Sequence, residues 1–257
     1  MSASQVESSQ LKSVLLTEGR RIASTPVESL GNVVPTLGDW SVEDVVRHTA
    51  KMHLWAMEML RRTPSDQAPR LREIPDISAG ASCILEYERA VTGLVELFDS
   101  RDFAEPALTF AEPATVGWWL RRQAHETTVH RFDIDAARGV ESAPADPPVA
   151  ADGVDEWCYL MVPRALKHYV AKHGGVPAEL AGRTVHIHGT DTDHAEWMLT
   201  ISDDDVTVTR EHGKGDVAIR GTAQDLLLTL WRRQPLDTVQ MFGDAELAHR
   251  LLEAVRL

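Results

Sequence analysis

Glu126 and His130 stand four residues apart in RRQAHETTVHR (121–131). On a helix, at about 100° per residue, that spacing puts the carboxylate and the imidazole within roughly 40° of each other on one face. Together they are two good ligands for a borderline divalent cation such as Zn²⁺. Helical bundles build metal sites this way, from inward-facing Glu and His side chains on adjacent helices. His125 does not extend the pair into an HExxH helix. That motif places its histidines four apart, whereas His125 and His130 are five apart, roughly 140° around the helix. His125 is therefore expected to support the site from outside or to lie on the surface. A catalytic zinc takes three protein ligands and keeps a position open for water or substrate. The third ligand has to come from another helix, and WSVEDVVRH (40–48) offers His48. His48, Met52, Trp55 and Met59 share a helix stripe that reads as core-facing, while His53 points elsewhere. Each part has a plainer reading, a core histidine satisfied by a hydrogen bond or a solvated Glu–His pair. Their combination points to a metal.

The elements that must position these residues are helices. Apolar residues at three- and four-residue spacing predict a first helix over about 5–26. Ser41 followed by Asp44 resembles a capping box and starts a second helix that carries His48. The proline-bearing segment 63–76 reads as a loop, a third helix runs from about Ala79 to Phe98, and 100–115 is another loop. A fourth helix, from about Val116 to Arg138, carries Glu126 and His130 and stops at Gly139. The Pro- and Ala-rich stretch 139–152 reads as a linker. Beyond it a helix of about twenty residues contains Pro163, which is expected to kink it. Four alternating segments, RTVHIHGT, AEWMLTIS, DVTVTRE and DVAIRG, read as strands. A helix capped by Thr222 follows, and a last one spans about Asp244 to Val255. The second half is thus an α+β domain with an antiparallel sheet.

Composition narrows the partners. The 257 residues suffice for one large domain or two modest ones. A net charge of -13, from 26 Lys+Arg against 39 Asp+Glu, repels phosphate backbones and anionic lipid, so no nucleic acid and no membrane is expected. The two cysteines, Cys83 and Cys158, match no metal or redox spacing and read as buried free thiols. The N-terminus lacks a basic segment followed by an apolar core, and no apolar run approaches the roughly 20 residues of a membrane span. A cytoplasmic protein, monomeric or weakly dimeric, is expected.

The words WSVxDxxxH and RxxxHExxxHR, with their order and setting, resemble the mycothiol-dependent maleylpyruvate isomerase family. The tail words DVAIRGTAQDLLLTLWRR (216–233) and PLDTVQMFGD (235–244) resemble its C-terminal domain. The resemblance covers nearly the whole chain. It implies a DinB-like metal-binding four-helix bundle over residues 1–140 and a sterol-carrier-like α+β domain over 150–257. It implies His48, Glu126 and His130 as ligands of a metal, usually Zn²⁺, and mycothiol as a thiol cosubstrate. Arg233, with Arg232 adjacent, is the implied anion clamp; its alternative is a helix-end arginine that favours the helix dipole. A thiol with an ordinary pKa near 8.5 is made nucleophilic by a metal. The expected activity is therefore transfer of a low-molecular-weight thiol to a small electrophile. The alternatives are thiol-dependent cis–trans isomerisation of a maleylpyruvate-like acid, metal-assisted hydrolysis, and non-catalytic metal or ligand binding.

Overall fold

The computed structural model describes residues 6–111 and 114–255. The chain divides into two compact units, one from Val6 to Ala143 and one from Pro144 onward.

The first unit is a four-helix bundle of α1 (Ser8–Ala23), α2 (Val42–Leu60), α3 (Ser82–Asp99) and α4 (Val116–Arg138). Helix α1 packs on α3 and α4, and α2 packs on the same two helices. The start of α2 is fixed by the expected box: the Ser41 hydroxyl accepts from Asp44 N–H, and Ser41 N–H donates to Asp44 Oδ2 at 2.9 Å. Helix α4 ends at Gly139, whose φ of 63° is left-handed backbone that glycine adopts without a Cβ penalty. The loop expected over 100–115 contains a two-stranded ribbon, β1 (Pro106–Ala107) and β2 (Ala114–Thr115). Trp119 Nε1 of α4 donates to Leu108 O at 2.7 Å and ties that ribbon down.

Helix α4 is unusual in composition. It is buried continuously from Trp119 to Ile134, yet that stretch includes Arg121, Arg122, Gln123, His125, Glu126, His130, Arg131 and Asp133. A buried helix is ordinarily apolar all round, so these groups need partners. Arg131 Nε bonds Glu18 Oε2 of α1 at 2.5 Å, and Gln123 Oε1 of α4 accepts from His53 Nδ1 of α2 at 2.7 Å.

The second unit corrects the linker. Residues 147–152 are helical: α5 runs from Pro147 to Glu156. Two prolines at a helix start lose no hydrogen bond, because the first N–H groups have no partner within the helix. The expected kink at Pro163 is a π-helical stretch, Trp157–Met161, between α5 and α6 (Val162–His173). The wider turn carries the chain past a residue that has no N–H to give. The sheet contains the four expected strands, β3 (Thr184–Gly189), β4 (Glu196–Ile201), β5 (Val206–Thr209) and β6 (Val217–Gly221), plus an unforeseen β7 (Gln240–Gly243). Its order is β5-β4-β3-β6-β7; the pairings are antiparallel except the central β3–β6 pair, which is parallel. Helices α7 (Ala223–Leu230) and α8 (Ala245–Ala254) complete an α+β unit. No helix among the described residues is long and apolar enough to cross a membrane. Cys83 and Cys158 are both free and buried.

Replacing Ser41 by Ala removes one cap of the helix that carries His48. The expected loss is about 1 kcal/mol of stability, read as a lower urea midpoint with an unchanged denaturant slope. An unchanged midpoint would mean that packing alone fixes the start of α2.

Candidate metal centre

Helix α2 presents His48, and α4 presents Glu126 and His130 one turn apart. The three meet. His48 Nε2 lies 3.1 Å from Glu126 Oε1, and His130 Nε2 lies 3.2 Å from the same oxygen. One donor atom from each residue falls within 4.8 Å of the others. The two imidazoles stand edge to face, with centroids 5.0 Å apart. Ligands bound at roughly 2.0–2.1 Å in a tetrahedral shell are themselves roughly 3.3 Å apart. The observed spacings fit a cation of that size.

Glu126 and His130 are each held from behind. The Arg122 guanidinium, one turn earlier on α4, contacts Glu126 Oε2, so only Oε1 faces the two histidines. His130 Nδ1 bonds Asp133 Oδ2 at 2.9 Å, which turns Nε2 toward the centre. The Thr36 hydroxyl reaches the other oxygen of Asp133 at 3.5 Å. The site is asymmetric. Glu126 and His130 are buried, whereas the His48 side chain is 30% exposed and packs beside Trp40, ring centroids 5.1 Å apart. The stripe expected to face the core is therefore its open edge: His48, Met52 and Trp55 are half-buried and only Met59 is fully enclosed. The core face of α2 runs instead through Val42, Val46, Thr49, His53 and Ala56. His53 points elsewhere, as expected. Burial pushes its imidazole down to about 4, against the opposing hydrogen bond from Gln123.

Electrostatics keeps Glu126 ionised and favours a proton on His130. Burial pushes the Glu126 carboxyl up, but the charges of Arg122 and His130 outweigh it and hold the group well below the usual carboxylate range. Burial pushes His130 down, but Glu126 and Asp133 outweigh it and raise the imidazole to about 9. Both neighbouring carboxylates thus favour the protonated form of His130.

The structure brings together all three expected ligands. It places His125 in the interior at 1% exposure, which corrects the surface alternative. Arg233 lies in the second unit, just past α7. Its backbone N–H donates to Leu228 O and its Nη1 to Trp231 O, so part of its donor capacity serves the end of that helix. Arg232 is exposed and takes the left-handed φ of 64° that terminates the helix. Sequence reasoning missed Arg122 and Asp133, although their spacings, four before Glu126 and three after His130, are those of facing helix neighbours.

Two family profiles match the chain. One is described as the mycothiol maleylpyruvate isomerase N-terminal domain, over residues 17–135, and the other as the MDMPI C-terminal domain, over residues 148–250. Among solved structures, the chain is similar to a crystal structure of the mycothiol-dependent maleylpyruvate isomerase, with a TM-score of 0.61 and 10% identity over 93% of this chain and 95% of that one. A histidine-to-alanine variant of that enzyme gives a TM-score of 0.63 at 9% identity, with the same coverage. At such identity these structures speak to the fold. No curated protein matches the sequence.

Two outcomes are expected. In the metal-free protein, the raised His130 value makes a stabilising proton fully present below its ordinary value of about 6.5 and lost as pH rises through about 9. Metal loading near neutral pH should release that proton, about one per metal, measured calorimetrically in buffers of different ionisation enthalpy. No release would mean that His130 is already neutral. Asp133→Asn should weaken metal binding about 10- to 100-fold with the fold intact. Unchanged affinity would remove Asp133 from the site.

Proposed function

Because the chain belongs to the mycothiol-dependent maleylpyruvate isomerase family, we propose that it is a metal-dependent enzyme that uses a low-molecular-weight thiol to isomerise the double bond of a small, maleylpyruvate-like acid. The observation that carries the reading is the convergence of His48 Nε2 and His130 Nε2 on Glu126 Oε1. Isomerisation takes precedence over the thiol transfer expected from the sequence, because the matched family and both similar structures are named for it.

His48, Glu126 and His130 would hold the metal, with Zn²⁺ the proposed ion and mycothiol the proposed thiol. A bound Zn²⁺ would supply the Lewis acidity that lowers the pKa of a thiol, so that its proton is released to solvent at neutral pH. The chain does the rest by positioning. Arg122 keeps Glu126 ionised and presents a single oxygen. Asp133 fixes the orientation of His130. The half-exposed edge formed by His48 beside Trp40 leaves one side of the cluster open to solvent, where a thiol can approach. Arg233 carries the proposed role of pairing with a substrate carboxylate.

The test is a reaction of metal-loaded full-length protein with mycothiol and maleylpyruvate, followed by NMR. The expected result is the trans isomer with no net loss of thiol, and at least about a 100-fold loss of rate in Glu126→Gln. Arg233→Ala should raise KM while leaving kcat nearly unchanged. A persistent thiol adduct would convert the reading to a transferase, hydrolytic cleavage of the acid without thiol would convert it to a hydrolase, and no turnover with any thiol would contradict it.

A further inference from the structure

We propose that the second unit carries a metal site of its own, formed by His186, His188, Glu196 and His212 and suited to one divalent first-row transition ion. It is separate from the bundle centre in sequence, in unit and in ligands.

The site is built from sheet geometry. His186 and His188 are two residues apart on β3, so the pleat puts both on one face. Strand β4 runs antiparallel to β3, with Glu196 directly opposite His188. Directly opposed residues project to the same side, which brings the carboxylate to the two imidazoles. The return between the strands is tight. A Cβ on Gly189 would come within 2.6 Å of the Ala195 Cβ, and His194 takes a left-handed φ of 58°. Strand β5 then leads back along β4, and the segment beyond it delivers His212.

Three imidazoles from separate positions converge on one carboxylate. His188 Nδ1 lies 3.1 Å from Glu196 Oε1, while His212 Nδ1 and His186 Nε2 lie 2.8 and 3.3 Å from Oε2. One donor atom from each of the four residues falls within 4.8 Å of all the others. The rings stand 77–89° from one another, with centroids 5.6–6.2 Å apart, so they do not stack and their edges can meet at a common centre. A single carboxylate balances only one protonated imidazole, whereas neutral imidazoles and a carboxylate are the usual companions of a divalent ion. Three nitrogens and one oxygen favour Zn²⁺, Ni²⁺, Co²⁺ or Cu²⁺ over the oxygen-seeking Mg²⁺ and Ca²⁺. An entry path exists. His188, Glu196 and His212 line an open cavity of about 500 Å³, and His212 is largely exposed. The cavity wall also carries two arginines, Arg210 and Arg220, and two further carboxylates, Asp193 and Glu211, and Arg210 is paired with Asp155 at 2.6 Å.

The test is metal stoichiometry of the full-length protein. The chain is stripped with chelator, dialysed against Zn²⁺ and counted by elemental analysis, beside Glu126→Gln, His188→Ala, His212→Ala and the Glu126→Gln/His212→Ala double variant. Circular dichroism checks the fold, and His212 is largely exposed, so its removal leaves the hydrophobic core of the unit untouched. The expected result is two ions in the wild type, with one held tightly and one weakened at least about ten-fold in His188→Ala and His212→Ala. Glu126→Gln should retain the His212-dependent ion, which separates this site from the bundle centre even if that centre binds nothing. Zinc binding that neither His188→Ala nor His212→Ala changes, or no zinc held by Glu126→Gln, would overturn the proposal.

Discussion

A charged helix buried along its whole middle governs the first unit. Helix α4 is enclosed from Trp119 to Ile134 while carrying three arginines, two histidines, a glutamate and an aspartate. An ion removed from water is tolerated only when it is paired and hydrogen-bonded, and removing one partner of a buried pair costs about 3–5 kcal/mol. The partners therefore decide how the bundle assembles. Glu18 on α1 answers Arg131, His53 on α2 answers Gln123, and His48 on α2 answers Glu126. An apolar α4 would pack well enough, but it would leave α1 and α2 free of these polar constraints on register.

The candidate centre is one product of that rule. Glu126 divides its oxygens between Arg122 and the two histidines, and His130 divides its nitrogens between Asp133 and Glu126. Neither side chain can turn away without stranding a buried charge. The floor of the site is thus rigid, while His48 forms a half-open edge on another helix. A fixed floor and an accessible edge would suit the proposed centre, which has to keep its ligands and admit a thiol.

Legibility followed the range of the interactions. The Ser41–Asp44 box, the span of α4 and its stop at Gly139 were readable because helix caps and periodicity are local. The Glu126–His130 pair was readable for the same reason, and Arg122 and Asp133 were within reach of the same spacing rule. Pro147 was misread because proline breaks a helix interior but starts a helix well. The parallel β3–β6 pair, strand β7 and the open edge at His48 depend on which distant segments pack together, and no local pattern encodes that. The His186 cluster illustrates the limit: its members become neighbours only through the register of β3 on β4 and the return of the chain after β5.

The central claim is that His48, Glu126 and His130 hold a metal. The most direct test is an anomalous difference map from crystals of the zinc-loaded protein, recorded on both sides of the zinc absorption edge. The account predicts a peak bounded by His48 Nε2, Glu126 Oε1 and His130 Nε2, about 2.0–2.2 Å from each. A well-ordered cluster with no peak, its histidines still donating to Glu126, would contradict it and leave the three residues as a buried ion-pair network.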